Sequence, residues 1–361
     1  MTARVRTAWG AIAVAALLIA QSVPAVAEPA ATPTQTAATE RDGQHDFDFE
    51  AGHWRIHLKR LVHPLTGSKT WVEFDGTSVT RMLWNGRAQI EEFETTAATD
   101  HIEGLTLRTY NPQSHQWRLY WANSNDGLLV VPQIGEFKDG VGEFYAQDIF
   151  NRKSILIRFI WSKTNSDTPH FEQSFSADGG KTWEVNWITD QTRVPEADFH
   201  AQMPAVAELA GQHDFDFLFG TLKYHLKRRQ HPLTGSTTWV EAGGTSVGYQ
   251  IWDGRADLTE TAADGSNGRL MGLTLRTFNP KTRQWYLYWA NSRDGIIAAP
   301  QIGEFKNGVG EFFATDTLDD RAILVRFLWS GTASKSPHFE QSFSADGGKT
   351  WEVNWISESS R

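Results

Sequence analysis

Apolar and polar residues alternate along short segments of the chain with the period expected of β-strands. Residues 105–110 and 117–121 alternate with period two, whereas residues 155–161 are apolar on both faces apart from Arg158. Turn-forming pairs separate such segments: Asn85-Gly86, Asn111-Pro112 and Asp139-Gly140. No amphipathic helical pattern interrupts them. Many short strands joined by turns are typical of an antiparallel sandwich or barrel.

The pattern occurs twice, at a constant offset. Residues 43–49 recur as 211–217, and residues 169–188 recur unchanged as 337–356. The offset is the same in both cases (211 − 43 = 168 and 337 − 169 = 168). A unit of about 150 residues has the size of a domain, whereas solenoid and propeller repeats span about 20–50 residues. The chain is therefore a duplicated domain.

We predict β-domains at residues 43–190 (copy one) and 211–361 (copy two), joined by a linker at 191–210. Each copy should contain about nine or ten strands, spaced about 8–12 residues apart, around its own core. With so short a linker, the two copies can pack on each other.

The N-terminal residues have the features of a signal peptide. Arg4 and Arg6 precede an apolar stretch at 11–20, and a small-x-small motif ends at Ala27. The apolar stretch is shorter than the ~20 residues of a membrane-spanning helix. We expect residues 1–27 to be removed on export to the periplasm or the medium.

Residues 28–42 are rich in Pro, Thr and Ala and are expected to form a flexible leader. No other long apolar stretch occurs, so we expect no membrane span.

Charge and cysteine content exclude several classes of function. The chain has a formal charge of −9 and no basic run, which argues against nucleic-acid binding. Cysteine is absent, which excludes thiol catalysis and thiolate metal sites. His45-Asp46-x-Asp48 carries donors that suit a metal, but it precedes the first strand beside Phe47 and Phe49. We interpret it as a local cap where the chain closes a barrel mouth, and we expect neither a metal nor a cofactor.

A family resemblance rests on motifs that recur in both copies. Phe47-Asp48-Phe49-x-x-Gly52-x-Trp54 resembles the opening Gly-x-Trp strand of calycin (lipocalin-like) barrels. Together with residues 71–76, 104–108, 119–122 and 171–183, it is similar to a family of uncharacterised bacterial lipocalin-like proteins.

The resemblance covers both copies nearly end to end. It implies two tandem antiparallel calycin/lipocalin-like β-barrels and carries no settled activity. Copy two departs from it, because Leu222 replaces Trp54, the residue that usually plugs the floor of such barrels.

Residues 176–183 also match the Asp-box, Ser-x-Asp-x-Gly-x-Thr-Trp, of sialidase-like propellers. Propellers need about four to eight blades of about 40–50 residues, whereas this box occurs once per copy. We therefore interpret it as a structural hairpin in which Asp178 caps turn amides.

Polar residues inside apolar strands are the candidates for ligand binding, because buried arginines need partners. In copy one, Arg108, Arg158 and Tyr120 are expected to engage an anionic group and Trp121 and Trp161 an apolar body, while Glu172 orients an arginine. The corresponding residues of copy two are Arg276, Arg326, Tyr288, Trp289, Trp329 and Glu340.

The sequence thus predicts an exported protein that binds a small, anionic amphiphile in each barrel. Three alternatives remain: an internal Arg–Glu network without a ligand, a barrel enzyme using Glu172 and His170 as acid and base, and a carbohydrate-binding module. Cavity binding requires Arg108 and Arg158 on the inner face, whereas a lectin requires a solvent-facing row of aromatic residues.

Overall fold

The structure is a computed structural model that describes residues 42–96, 101–199, 208–265 and 268–361. The predicted signal peptide and all but the last residue of the predicted leader lie outside these ranges. Within them the protein is all-β, with short 3₁₀ turns and no α-helix. No helix among the described residues is long and apolar enough to cross a membrane.

Each copy contributes ten strands. Those of copy one are β1 (Gly52–Leu61), β2 (Trp71–Leu83), β3 (Ala88–Thr95), β4 (Glu103–Asn111), β5 (Gln116–Asn123), β6 (Gln133–Lys138), β7 (Val141–Phe150), β8 (Lys153–Ser162), β9 (His170–Ser176) and β10 (Glu184–Val194). Those of copy two are β11 (Gly220–Arg229), β12 (Trp239–Ile251), β13 (Ala256–Gly265), β14 (Gly268–Asn279), β15 (Gln284–Asn291), β16 (Gln301–Lys306), β17 (Val309–Leu318), β18 (Arg321–Ser330), β19 (His338–Ser344) and β20 (Glu352–Ser360).

Consecutive strands pair antiparallel, and the first strand of each copy also pairs with the last. β1 therefore lies between β2 and β10, and β11 lies between β12 and β20. Each copy is a closed ten-stranded barrel, which confirms the prediction of two tandem antiparallel β-barrels.

An aromatic cluster fills one end of the first barrel, which we call the closed end. The segment before β1 folds through a 3₁₀ turn (Asp48–Glu50) and places Phe47 inside the barrel. The Phe47 ring lies 5.1 Å from Trp117 and 4.9 Å from Phe137, between ring centroids. Close packing of this kind makes the cluster rigid.

The floor of the first barrel contains the expected tryptophan. Trp54 is fully buried, its indole N–H donates to the Glu50 carbonyl at 2.8 Å, and the Arg193 guanidinium stacks on its ring at 4.0 Å. Leu222 takes its place in copy two and packs in the closed-end cluster with Phe215.

The Asp-box forms the turn between β9 and β10. The Asp178 carboxylate accepts hydrogen bonds from the backbone N–H of Thr182 at 3.0 Å and from its hydroxyl at 2.7 Å. These bonds lower the pKa of Asp178. The motif is thus a structural hairpin in this protein, as the single box per copy indicated.

The two barrels pack on each other through the outer faces of equivalent strands. The Trp84 indole donates to the Gly272 carbonyl at 3.3 Å, and its equivalent, Trp252, donates to the Gly104 carbonyl at 3.2 Å. Both lie in one apolar cluster made of equivalent residues: Leu83, Trp84, Ala88, Ile90, Leu105, Leu107, Tyr120 and Ala122 from copy one, and Ile251, Trp252, Ala256, Leu258, Leu273, Leu275, Tyr288 and Ala290 from copy two. Such reciprocal contacts define a pseudo-twofold axis between the copies.

Residues 41–361 accordingly form one compact unit. That either copy folds when expressed alone stays a prediction, because each isolated barrel would expose its share of this cluster.

Candidate binding chambers of the two barrels

Strand register decides which side chains enter the first barrel. On β4, Leu105 and Leu107 point outward into the interface between the barrels, so Thr106 and Arg108 point inward. All nine residues of this strand are buried. The alternation of polarity along β4 therefore separates two buried faces rather than a buried face and a solvated one.

Arg108 lies directly above the closed-end cluster and is almost completely buried. Its guanidinium carbon is 5.1 Å from the ring centroid of Phe47, and its Nη2 donates to the Glu91 carboxylate at 2.5 Å. A second carboxyl oxygen, on Glu50, lies 4.0 Å away. Among the residues that the structure describes, none accepts a hydrogen bond from the Nε or Nη1 of Arg108.

The charges of this group nearly cancel. Burial raises the pKa of Glu50 to about 8; the positive charge of Arg108 opposes the shift and the negative charge of Glu91 adds to it. At neutral pH Glu50 is therefore mostly protonated, and Arg108 and Glu91 form one ion pair. The group offers hydrogen-bond donors to whatever occupies the space above it.

Copy two has the equivalent arginine, Arg276, but its counterion stands at a different position of the strand. Arg276 donates to Asp257 and, at 3.0 Å, to the hydroxyl of Thr259. Asp257 and Thr259 are equivalent to Gln89 and Glu91, and Leu218 replaces Glu50. Burial raises the pKa of Asp257 to about 6, opposed by the charge of Arg276. The Nε of Arg276 again has no hydrogen-bond partner within the described part of the chain.

Aromatic side chains form the wall above Arg108. Ring centroids lie 5.9 Å apart for Phe93 and Trp121, and 6.3 Å apart for Phe93 and Trp187. The Trp121 ring lies flat on Gly104 of the adjacent strand, where any Cβ atom would overlap it. Both tryptophans are only half-buried, so water contacts this wall. We call the part of the barrel interior that the wall lines the upper chamber.

The loop between β1 and β2 lies across the upper end of the first barrel. Its Leu65 side chain packs against Ile157 and Phe175, and its backbone N–H donates to the Glu184 carboxylate at 2.5 Å. Leu65 has a φ of 62°, an uncommon conformation for a bulky residue. The same bond joins Leu233 to Glu352 at 2.7 Å in copy two.

Only part of the predicted site comes together. Arg108 and Trp121 share the interior of barrel one, as Arg276 and Trp289 share that of barrel two. Trp161 lies below the arginine in the closed-end cluster, with Trp329 at the equivalent place, so neither belongs to the upper wall.

Tyr120 and Tyr288 point away from the chambers. The Tyr120 hydroxyl accepts a hydrogen bond from the Ile297 N–H at 3.3 Å, and that of Tyr288 accepts one from the Leu129 N–H at 3.1 Å. Both tyrosines therefore join the two barrels, and the geometry does not bring them to Arg108 or Arg276.

Arg158 and Arg326 lie on the outer faces of their barrels. Arg158 stacks on Trp183 of the Asp-box hairpin at 4.5 Å, and Arg326 stacks on Trp351 at 4.8 Å. On β8 the inner face is formed instead by Ile155, Ile157 and Trp161. The expectation that Arg158 shares a cavity with Arg108 is therefore wrong.

Glu172 and Glu340 also face outward and bind histidines. His170 lies between Glu172 and Asp190, with Nε2 at 3.1 Å from the former and Nδ1 at 2.6 Å from the latter. Burial lowers the pKa of His170, but the two hydrogen bonds outweigh it and raise the pKa. His338 binds Glu340 at 3.0 Å in the same way. No ion pair joins Arg158 to Glu172, both of which lie in the described part of the chain.

Sequence reasoning missed the true partners of the buried arginines. Glu50 lies in a turn before β1, and Glu91 stands in a strand that carries two further carboxylates, Glu92 and Glu94, on the opposite face. Comparing the copies gives a signal, because Glu50, Gln89 and Glu91 all change together to Leu218, Asp257 and Thr259.

An acidic cleft of about 480 Å³ beside the interface was also missed. Burial raises the pKa of Glu94 in this cleft to about 7, helped by the nearby charges of Glu103 and Asp253. Ala262 and Met271 stand at the positions equivalent to Glu94 and Glu103, so copy two lacks this pair of carboxylates.

Among the residues that the structure describes, no group of three or more His, Asp or Glu side chains is placed to hold a metal ion. His45 binds Asp48 at 2.9 Å, which fits its interpretation as a local cap.

Comparisons with known proteins give distant likenesses. No family model matches the chain, and no curated protein matches it in sequence. A solved structure from Nostoc punctiforme, a protein of unknown function from the DUF3598 family, covers 89% of this chain and 100% of its own at 10% identity, with a TM-score of 0.25. Transferrin Binding Protein B of Haemophilus parasuis, solved as a double mutant, covers 85% and 75% at 8% identity, with a TM-score of 0.18. Likenesses at this level carry no argument about function.

Proposed function

We propose that each barrel binds one small amphiphile with a carboxylate or similar acceptor at its polar end. The acceptor lies on Arg108 in barrel one and on Arg276 in barrel two, and the apolar body lies against Trp121 or Trp289. The signal-like residues 1–27 support a role outside the cytoplasm, in the periplasm or the medium.

The observation that carries the proposal is the unpartnered state of buried donors beneath a water-accessible aromatic wall. Buried guanidinium N–H groups are almost always hydrogen-bonded, because leaving a buried donor unsatisfied costs about 1–3 kcal/mol. Arg108 has two such donors, at Nε and Nη1, while Glu91 occupies Nη2. An acceptor arriving from above would bind both without displacing Glu91.

The aromatic wall supports an apolar ligand body. Ligand sites combine apolar and aromatic linings with a few placed polar groups, and Trp121 and Trp187 supply the first above Arg108. The carboxylate of a ligand would add one negative charge to the nearly neutral group formed by Arg108, Glu91 and Glu50. Its hydrogen bonds with the guanidinium must therefore outweigh repulsion from Glu91, so we expect micromolar rather than nanomolar binding.

Calorimetric titration of the full chain with dodecanoate, and with dodecylamine of the same chain length, tests the proposal. We expect dodecanoate to bind and the amine to bind at least about tenfold more weakly, because only the acid accepts hydrogen bonds from Arg108. A matched variant carries Arg108→Met/Glu91→Gln and Arg276→Met/Asp257→Asn, which removes both ion pairs without stranding a charge. It should lose the preference for the acid. Equal binding of both ligands by the unmodified protein, or binding of neither, would contradict the proposal.

A carbohydrate-binding surface is the second candidate, and one observation favours it. Tyr145 is 43% exposed on the outer face of β7, and its ring lies 6.1 Å from Trp183, which stacks on Arg158. Solvent-facing aromatic residues of this kind can stack on sugar rings. Trp183→Ala should then abolish sugar binding and leave dodecanoate binding unchanged.

A further inference from the structure

The upper chambers of the two barrels differ at several inward-facing positions. Ile56, Phe74 and Phe93 of copy one correspond to Tyr224, Ala242 and Thr261 of copy two. The surrounding tryptophans, Trp121 and Trp187, are retained as Trp289 and Trp355. The walls are therefore alike, but the groups that fill the space between them are not.

In barrel one, phenyl rings occupy that space. Phe93 is 6% exposed and touches both tryptophans, and Phe74 packs against the same cluster, with the Arg60 guanidinium 5.5 Å from its ring centroid. Leu58, opposite Phe74 on β1, is completely buried. Phenyl and aliphatic side chains therefore occupy the interior of barrel one at this level.

In barrel two the corresponding wall is open to water. Leu226, the equivalent of the fully buried Leu58, is half-buried, and Gly244 is half-buried where Gly76 is buried. Tyr224 adds a ring, but its hydroxyl end lies against Gly244 on the wall, where a Cβ atom would meet the hydroxyl oxygen at 2.7 Å. Two phenyl groups are thus lost and one wall-bound phenol is gained.

The residue at the floor differs between the barrels as well. Trp54 is sealed beneath Arg193 and bound to the Glu50 carbonyl, and Leu222 packs within the closed-end cluster. Trp54 also belongs to the cluster of Ile56, Leu58 and Phe93, so the exchange of Trp54 for Leu222 changes the base of the chamber as well. Phe93 packs directly on Trp121 and Trp187 of the wall, whereas the Trp54 ring is covered by Arg193.

We propose that these two positions set ligand size: Phe74 and Phe93 restrict barrel one to a single unbranched aliphatic chain, whereas Ala242 and Thr261 let barrel two accept a fused-ring anionic amphiphile. This inference rests on the proposed function, because it assumes that the chambers are occupied. It assigns two ligand classes to one chain.

The test uses the full chain and two probes, dodecanoate and the fused-ring anion 1-anilinonaphthalene-8-sulfonate. We expect one sulfonate bound per chain, measured by calorimetric stoichiometry. Ala242→Phe/Thr261→Phe should weaken that binding at least about tenfold, since a pocket that must reject a larger group does so by steric overlap. The reciprocal Phe74→Ala/Phe93→Thr variant should bind two. Arg326→Met, on the outer face of barrel two, is the matched control and should leave the stoichiometry at one.

The outcomes separate the two hypotheses. Two equivalent sulfonate sites in the unmodified protein would overturn the size assignment, and so would a stoichiometry that neither double variant changes. In either case, binding of dodecanoate would still support the proposed function. Failure of both probes to bind would overturn the proposed function itself. If the Ala242→Phe/Thr261→Phe variant fails to fold, shown by loss of a cooperative melt, the Phe74→Ala/Phe93→Thr variant still decides the question.

Discussion

Barrel one and barrel two bury equivalent arginines, but the carboxylates that neutralise them stand at different positions. Glu91 pairs with Arg108, and Asp257, two positions earlier on the equivalent strand, pairs with Arg276. Both carboxylates point inward because residues two apart on a strand share a face. Each barrel therefore balances the buried charge, but the position of the counterion differs between them.

The comparison also explains Glu50. In copy one a third ionisable group stands near the ion pair, and its raised pKa keeps it neutral; in copy two Leu218 removes the group altogether. A protonated carboxyl and a leucine are thus alternative solutions at the same buried position, and both avoid a second uncompensated charge.

The largest expected effect comes from breaking one ion pair. Arg108→Met should lower the free energy of unfolding by about 3–5 kcal/mol, because it leaves Glu91 buried without a counterion. Chemical denaturation of the full chain, with tryptophan fluorescence as the readout, measures the loss.

Two further variants sharpen that result. Arg108→Met/Glu91→Met should recover most of the loss, since it removes both charges. Glu50→Leu/Gln89→Asp/Glu91→Thr, which rebuilds the arrangement of copy two, should stay within about 1–2 kcal/mol of the unmodified protein. If the rebuilt arrangement is as damaging as Arg108→Met, the two interiors are not interchangeable and the comparison fails.

A pH series tests the role of Glu50. Its pKa is raised from 4.5 to about 8 in the folded protein, so between these values the native state binds more protons than the unfolded state. Stability should then fall as the pH rises from about 5 to 8, with a slope on the order of 1 kcal/mol per pH unit from this group. Glu50→Gln removes the titration, so its stability relative to the unmodified protein should increase with pH. Parallel curves for the two proteins would show that Glu50 is ionised in the fold.

The smallest effect is expected outside the barrel. Arg158 is half-buried on the outer face, stacked on Trp183, and such contacts contribute about 0.5–1 kcal/mol at exposed sites. Arg158→Met should therefore cost less than about 1 kcal/mol in thermal melts and leave dodecanoate binding unchanged. A loss approaching that of Arg108→Met would contradict the assignment of the two arginines to opposite faces.

The sequence by itself determined the duplication, the all-β class and the turn chemistry. The 168-residue offset follows from identical segments, and strand period and turn pairs are local properties of the chain. The Asp-box hairpin was predictable for the same reason, since Asp178 bonds to Thr182 only four residues away.

Only the tertiary structure decided which face of each strand is the inner one. The alternation of apolar and polar residues shows which face of a strand is the inner one when the other face meets water. All residues of β4 are buried, because its outer face lies against the other barrel. On β8 the Asp-box hairpin reaches over the outer face and shields Arg158. Arg108 and Arg158 thus look alike in sequence and lie on opposite faces, because what buries each of them comes from distant parts of the chain.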